Sequence, residues 1–472
     1  MNAWQISFLV LYFVVLLCVS FLSSKLNNET HEGDNSKNTR TGSILGMLTF
    51  SATLFSTFTL MGMPDFVRVH GVGSWIFLGI TDIAMAMVVL LFGVHFKRTL
   101  SLRSCTSVVG LLENFYGGKW ASTLYISGVF VFLIPYVAIQ IRGISLFLSS
   151  ELSLDKAYFW LVALVILGVI FFYTFLGGLR AIMYSDAVQG GILLIATWTV
   201  AYFCVSMLGG IDGLFQSVRE TNPSLLSTPG PKGLFSFQFL LASFLAIVVM
   251  PITQPQLTLR LSTMKNSHEL RRMSIGIAVF AFIVILPTIA IGLYGGVRYI
   301  NSSTMEFLSG ALIKDHSQWL GALVLVGLLA AAMSTGDSQI FSLGEEFETF
   351  LRRDKVASNK NKFNIRLILA SFSLLSFIFA IFANDQIVLL ARISFTGTAL
   401  MAPMILLATF QTFRLKKWVL WTTFTAFFIF SLVLLGWIPD QIGGWRMDLL
   451  LELLVSGSSL LFYLTSGKSN GN

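Results

Sequence analysis

Thirteen apolar runs follow one another along the chain, at residues 5–24, 44–69, 74–96, 120–149, 157–177, 182–208, 236–260, 274–297, 316–346, 365–383, 386–411, 417–437 and 447–466. Each is long enough to carry a helix across a bilayer, and short polar segments separate them. The pattern predicts an all-α polytopic membrane protein with 13 transmembrane helices. The first run lacks a basic leader and an A-x-A cleavage site, so it reads as a retained helix and not a removed signal peptide. No stretch has the composition of a linker to another globular unit, and residues 1–472 read as a single transmembrane domain.

Two runs carry residues that a plain membrane helix avoids. The second crowds hydroxyls into Ser51-Ala52-Thr53-Leu54-Phe55-Ser56-Thr57 and places Gly62 and Pro64 near its end. The seventh contains Met250-Pro251-Ile252-Thr253-Gln254-Pro255-Gln256, where two prolines remove two backbone donors beside amide side chains. Simple proline kinks would account for each site alone. Broken helices at matching positions of two halves, however, point to an inverted-repeat transporter with its site at the midplane. The expected organisation is an extra N-terminal helix at 5–24, a first repeat at 44–208, a second at 236–411, and two C-terminal helices at 417–466.

The ninth run contains Ala330-Ala331-Ala332-Met333-Ser334-Thr335-Gly336-Asp337-Ser338. At the helical repeat, Ala331, Ser334, Thr335 and Ser338 fall within an arc of roughly 100°, with Asp337 at its border. Small residues and hydroxyls also serve close helix contacts. The carboxylate favours an ion or substrate path, because charge at membrane depth is costly. The sixth run opens with Gly177-Gly178-Leu179-Arg180, a tight turn, followed by Tyr184-Ser185-Asp186-Ala187-Val188-Gln189. Asp186 and Gln189 share a helix face. Arg180 lies more than one turn from Asp186, which leaves a helix-dipole role or a place on a cytoplasmic ion path. Arg142, inside the fourth run, is suited to a carboxylate solute, a structural ion pair, or an interfacial position. Arg392, in the eleventh, reads as structural or as a gate.

Composition agrees with the pattern: 55% of residues are hydrophobic, 11% charged, and 43 are Phe. Mean hydropathy is +0.79. The net charge of +8 is a matter of topology, not of a nucleic-acid surface. Of 31 basic residues, 22 fall in one set of alternating loops, 7 in the other, and Arg142 and Arg392 inside runs. By the positive-inside rule the N-terminus is outside and the C-terminus cytoplasmic, in the plasma (inner) membrane. Cys18, Cys105 and Cys204 are scattered and form no CxxC pattern.

These motifs carry a resemblance. The Gly-Gly-Leu-Arg-Ala…Ser-Asp-Ala-Val-Gln run at 177–189 and the Ala-Ala-Met-Ser-Thr-Gly-Asp-Ser run at 331–338 resemble the two signatures of the sodium:solute symporter family. Met61-Gly62-Met63-Pro64 and Pro251…Gln254-Pro255…Arg260 are also similar to it, and the likeness covers roughly residues 1–465. The resemblance implies a LeuT-like fold of five plus five helices and a sodium-coupled symporter working by alternating access. It implies a sodium site built from the Ala52, Phe55 and Ala331 carbonyls and the Ser334 and Thr335 hydroxyls, uncharged oxygens that suit a monovalent ion. Asp186, Asp337 and Ser338 would serve a second ion site or the exit path. Asp337 departs from relatives that carry a hydroxyl there, which raises a charged second site or proton coupling. The solute pocket would use Ser56, Thr59, Phe77, Tyr136, Gln140, Arg142, Thr253, Gln254 and Gln256, with Ser394 and Thr396 further lining positions. The expected partners are a small organic solute, sodium and the bilayer, with no nucleic acid and a monomer as the working unit. The competing readings are a proton-coupled symporter, a transporter-like solute sensor, and, with no supporting motif, an enzyme or channel.

Overall fold

A computed structural model describes residues 2–28, 41–152, 158–351, 359–383, 386–411 and 418–466. Its helices are α1 (Ala3–Asn28), α2 (Ser43–Leu54), α3 (Met63–His70), α4 (Thr81–Leu102), α5 (Val108–Tyr116), α6 (Lys119–Glu151) and α7 (Phe159–Met207). They continue with α8 (Gly210–Thr221), α9 (Phe237–Val248), α10 (Met250–Thr253), α11 (Pro255–Thr263), α12 (Ser267–Arg298) and α13 (Thr304–Ser309). The last are α14 (Gln318–Leu351), α15 (Asn359–Phe382), α16 (Ile387–Ala399), α17 (Ala402–Phe410), α18 (Trp418–Leu434) and α19 (Met447–Ser466). Each predicted apolar run is helical over most of its length. Among the described residues, 7 helices are long and apolar enough to cross a membrane, or 10 when each bent pair counts as one span. Phe159–Thr174 and Trp418–Leu434 are shorter apolar helices.

The fifth and sixth predicted runs are the two halves of α7, joined where Gly178 takes φ 64° and ψ −179°. This left-handed backbone is open to glycine at no steric cost, as the predicted Gly-Gly turn requires.

Three spans are broken. The second bends by 57° between α2 and Phe58–His70, and the seventh by 52° between Phe237–Thr253 and α11. The eleventh bends by 42° between α16 and α17, which the sequence reading did not anticipate. The second break also falls elsewhere than expected. It lies at Phe55 (φ −88°, ψ 104°) and Ser56, while Phe58–Gly62 forms a π-helical stretch. Pro64 lies inside the continuous helix Phe58–His70, directly after the π-helical stretch, and the chain does not break there. At the seventh break, Gln254 is extended (φ −91°, ψ 122°) because Pro255 follows it, and Pro251, Pro255 and Pro403 each open a helix.

The long α14 is central. It packs against both α7 and α6 and touches α1, α2, α11 and α15. Residues 320–340 of α14 are buried almost throughout. At the opposite end of the second span, Arg68 binds Asp65 at 2.6 Å and the Tyr299 and Ser302 carbonyls at 3.0 Å. This anchors α3 to the turn after α12. Gly292 of α12 lets the two helices approach: a Cβ there would lie 2.6 Å from the Pro64 carbonyl oxygen and 2.5 Å from the Val67 side chain.

Gly292→Ala is therefore expected to push α3 away and to destabilise the protein by about 1–3 kcal/mol, the usual range for overpacking. A lowered thermal unfolding transition in detergent checks this; an unchanged transition would show that α3 yields freely.

Candidate functional site

A helix that stops inside a membrane leaves its last carbonyls without intrahelical partners, and no water is at hand to replace them. Hydroxyls on neighbouring helices take the carbonyls of α2. Ser334 donates to the Ala52 carbonyl at 2.9 Å and lies 3.2 Å from the Ala331 carbonyl of its own helix. Thr335 donates to the Thr53 carbonyl at 3.2 Å. Tyr136, from α6, donates to the Leu54 carbonyl at 3.1 Å. Of the five expected sodium ligands, Ala52, Ala331 and Ser334 come together directly. Thr335 is beside them but reaches Thr53, and the Phe55 carbonyl is not among the oxygens that Ser334 or Thr335 contacts. The Phe55 ring stacks on Phe280 at 5.7 Å.

One turn along α14 lies a charged cluster. Arg260 of α11 binds Asp186 at 2.8 Å, with both side chains at most 1% exposed. The same guanidinium donates to Ser338 at 2.5 Å and to the Gln256 carbonyl at 3.1 Å. Thr53 and Ser338 donate to the same Asp186 oxygen at 3.3 and 3.4 Å. Asp337 is fully buried, and neither of its carboxylate oxygens has a hydrogen-bond partner among the described residues. The guanidinium pairs with Asp186, so an ionised Asp337, next to Ser338 in sequence, would add a negative charge that no ion pair among the described residues balances. Gln189 donates to the Tyr12 hydroxyl at 2.9 Å, and Tyr12 in turn contacts Met333 at 3.5 Å. The extra N-terminal helix thus reaches the polar strip.

The residues expected to line a solute pocket lie at both breaks, Ser56 at the second and Gln254 and Gln256 at the seventh. Gln140 donates to Ser56 at 3.3 Å, and Gln256 to Gln254 at 2.7 Å. Thr59, Ser394 and Thr396 hydroxyls, Gln254 Nε2 and the Oε1 atoms of Gln140 and Gln256 are buried and unpaired among the described residues. Thr253 turns back to the Val249 carbonyl at 3.4 Å. Phe77 packs between Phe66 and Phe239 at 5.5 and 5.6 Å. Arg142 does not join them. It donates to the Ala380 carbonyl at 2.5 Å and to Ile381 at 3.4 Å, capping the C-terminal end of α15. Arg392 binds Asp448 at 2.5 Å and Ser243 at 2.8 Å, which ties α16 to α9 and α19.

The family model described as sodium:solute symporter family matches residues 38–417. The chain belongs to the sodium:solute symporter family. It is 26% identical over 369 residues to the sodium/pantothenate symporter of Haemophilus influenzae, covering 76% of this chain and 74% of that protein. It is likewise 26% identical over 398 residues to the high-affinity proline transporter PutP of Bacillus subtilis, covering 80% and 81%. Among solved structures, the substrate-bound outward-open state of a sodium-coupled sialic acid symporter superposes with a TM-score of 0.78 at 16% identity, over 100% of this chain and 98% of that one. MhsT in complex with L-phenylalanine gives a TM-score of 0.58 at 12% identity, over 90% and 99%. The fold is LeuT-like, and the protein is a multi-pass sodium-coupled solute symporter whose co-transported ion is sodium.

Two residues that the structure brings to the candidate site were given no role in the sequence reading. Arg260, the last residue of the seventh run and noted only for its likeness to the family, is 1% exposed and pairs with Asp186. The available signal was its place one turn after Gln256 on the far side of the seventh break. Thr53, between the two positions taken for carbonyl ligands, adds a hydroxyl to the lower cluster and a carbonyl to the upper one.

Arg260→Met should leave Asp186 without its counter-charge and destabilise the symporter by about 3–5 kcal/mol. Replacing Asp186 as well, with Leu, should recover most of the loss. Thermal unfolding of the single and double variants checks both; equal losses in the two would show that the pair itself, not the stranded carboxylate, carries the stability.

Proposed function

We propose that this symporter carries a small organic solute into the cell by alternating access, with sodium bound where α2 breaks against α14. The carrying observation is the meeting of Ser334 with the Ala52 and Ala331 carbonyls at 2.9 and 3.2 Å. Sodium at this place takes its oxygens from the Ala52, Phe55 and Ala331 carbonyls and the Ser334 and Thr335 hydroxyls. These are uncharged ligands, as a monovalent ion prefers. Binding there joins the two helices and favours one conformation over the other. That difference in affinity between states is what raises the affinity for solute at the adjoining break.

The solute pocket lies beside Ser56, Thr59, Phe77, Tyr136, Gln140, Thr253, Gln254 and Gln256. Its unpaired buried amides and hydroxyls support this, because polar groups at membrane depth call for partners. The two repeats run over residues 44–208 and 236–411, and the matching bends of the second and seventh spans favour that division. The basic-residue asymmetry orients the chain with its N-terminus outside and its C-terminus in the cytoplasm. In that orientation α3 ends at the outer face, beside a cavity of about 250 Å³ that includes Asp65, Arg68, His70 and Lys232. Sodium leaves past Asp186, Asp337 and Ser338, drawn by the surplus negative charge and released as Arg260 reclaims Asp186. The working unit is a monomer. The sodium/pantothenate and proline relatives place carboxylate-bearing solutes among the first to try.

Sodium-gradient-driven uptake by the reconstituted protein, over a panel of labelled solutes and again with a proton gradient alone, tests the reading. Ser334→Ala with Thr335→Ala removes two ligands and should raise the sodium concentration for half-maximal uptake at least about tenfold, given the strength of hydrogen-bonding groups to ions. Unchanged sodium dependence in that double variant would sink the site.

A further inference from the structure

The cavity of about 250 Å³ beside the end of α3 is separate from both breaks. At one side of it the helix Phe58–His70 meets the start of α16, and Met61, Gly62, Ile387 and Val388 line it there. The two helices touch: a Cβ on Gly62 would lie 3.2 Å from the Ile387 side chain and 3.3 Å from that of Val388. Met61, Ile387 and Val388 are buried. Thr59, a residue of the proposed solute pocket, precedes Gly62 on this helix, whereas Asp65, Arg68 and His70 follow it. Along the helix, the contact at Gly62 therefore lies between the second break and the charged end of the cavity.

The charged residues of the cavity wall are Asp65, Arg68 and Lys232. Asp65 and Arg68 pair at 2.6 Å, and Thr304 donates to the other Asp65 oxygen at 2.9 Å. Glu306 of α13 is turned to the Ser303 N–H at 2.8 Å and does not line the cavity. Lys232 is exposed, and among the described residues its ammonium makes no hydrogen bond and no ion pair. Its backbone is nevertheless held. Lys232 sits in a turn closed by the Gly233 N–H on the Gly230 carbonyl at 3.0 Å, and Gly230 packs on the His70 carbonyl with no room for a Cβ. His70 lines the same cavity, with its ring against Phe66 at 4.7 Å and Phe235 at 6.2 Å. Neither ring nitrogen of His70 has a hydrogen-bond partner among the described residues.

With a neutral His70, the wall thus holds one positive charge in excess, and its volume lies below the usual range for drug-sized ligands. A recess of one charge sign gathers the opposite charge and speeds its arrival. We propose that this cavity is an outer docking subsite, where the carboxylate of a small incoming solute pairs with Lys232 beside His70 before the contact of Gly62 with Ile387 and Val388 opens. The inference rests on the orientation and the carboxylate cargo proposed above, and adds to them a place where the solute is held outside the sodium site.

The test uses the full chain carrying Ser302→Cys, a position on the cavity wall, and follows its labelling by an uncharged maleimide through the mass of the peptide that contains it. The Ser302 and Lys232 side chains make no hydrogen bond among the described residues, so neither substitution removes one. Proline is paired with prolinamide and pantothenate with pantothenol, each partner lacking the carboxylate, at fixed ionic strength and up to about 100 mM, a range that covers a weak single-charge site. At least one carboxylate should slow labelling about threefold or more, as mass action on an occupied site requires, and its partner should not. Protection should persist with potassium in place of sodium, because the cavity is outside the sodium site. Adding Lys232→Gln should raise the half-protecting concentration about fivefold, the upper end for one exposed charge pair, and Lys232→Arg should restore it. The proposal is overturned if neither carboxylate protects, if the uncarboxylated partners protect as well, if protection requires sodium, or if Lys232→Gln leaves it unchanged. Sodium-driven uptake of a carboxylate without protection of residue 302 would remove the subsite and leave symport standing. Protection without sodium-driven uptake would keep the subsite and count against the sodium site.

Discussion

The structure turns on a shortage of hydrogen-bond donors at the end of α2. Once the helix stops at Leu54, the carbonyls of Ala52, Thr53 and Leu54 need partners in a setting that has no bulk water. Ser334, Thr335 and Tyr136 meet that need one for one. Carbonyl and hydroxyl oxygens are also what a hard monovalent cation prefers, so the repair of the broken helix is the arrangement on which the proposed cation site rests. This explains why the hydroxyls of α14 lie on a single face. It also explains why α14 sits at the centre of the bundle, since it must reach α2, α7 and α11 at once.

Most of the architecture was legible in the sequence because membranes simplify the reading. Apolar length announces each span, and every predicted interval is helical over most of its length, while α5, α8 and α13 lie between intervals. Local chemistry also carried the Gly178 turn and the seventh break, where Pro255 forces an extended residue ahead of it. The second break shows the limit. Gly62 and Pro64 were the conspicuous residues, but the helix runs through them from Phe58 to His70, and the chain unwinds at Phe55 and Ser56, whose types give little sign of it. The bend between α16 and α17 was missed for the related reason that one proline following a hydroxyl-rich stretch is a common helix start.

Side-chain partnerships were the least legible part. The strip from Ala331 to Ser338 was recognisable, and its meeting with Ala52 followed from the family resemblance. Its lower partner was not, because Arg260 looks in sequence like one more loop cation and only the tilt of α11 after Gln254 swings it against Asp186. Arg142 shows how open such a reading is: a lone arginine in a span suggests a bound anion, and the carbonyls at a helix end are another acceptor, as those of Ala380 and Ile381 are here.

Gly178 has a mechanical consequence. A single left-handed residue joins two long helical segments of α7, and the backbone remains helical up to it. Such a joint has no slack. It can pivot about its own two dihedrals, but it cannot lengthen, so the segment carrying Asp186 cannot slide along its neighbour without dragging it. Rotation is the freedom that remains, and a rotation about one end of a rod moves the far end most. Small angular changes at Gly178 therefore become larger displacements near Met207, on the opposite side of the protein.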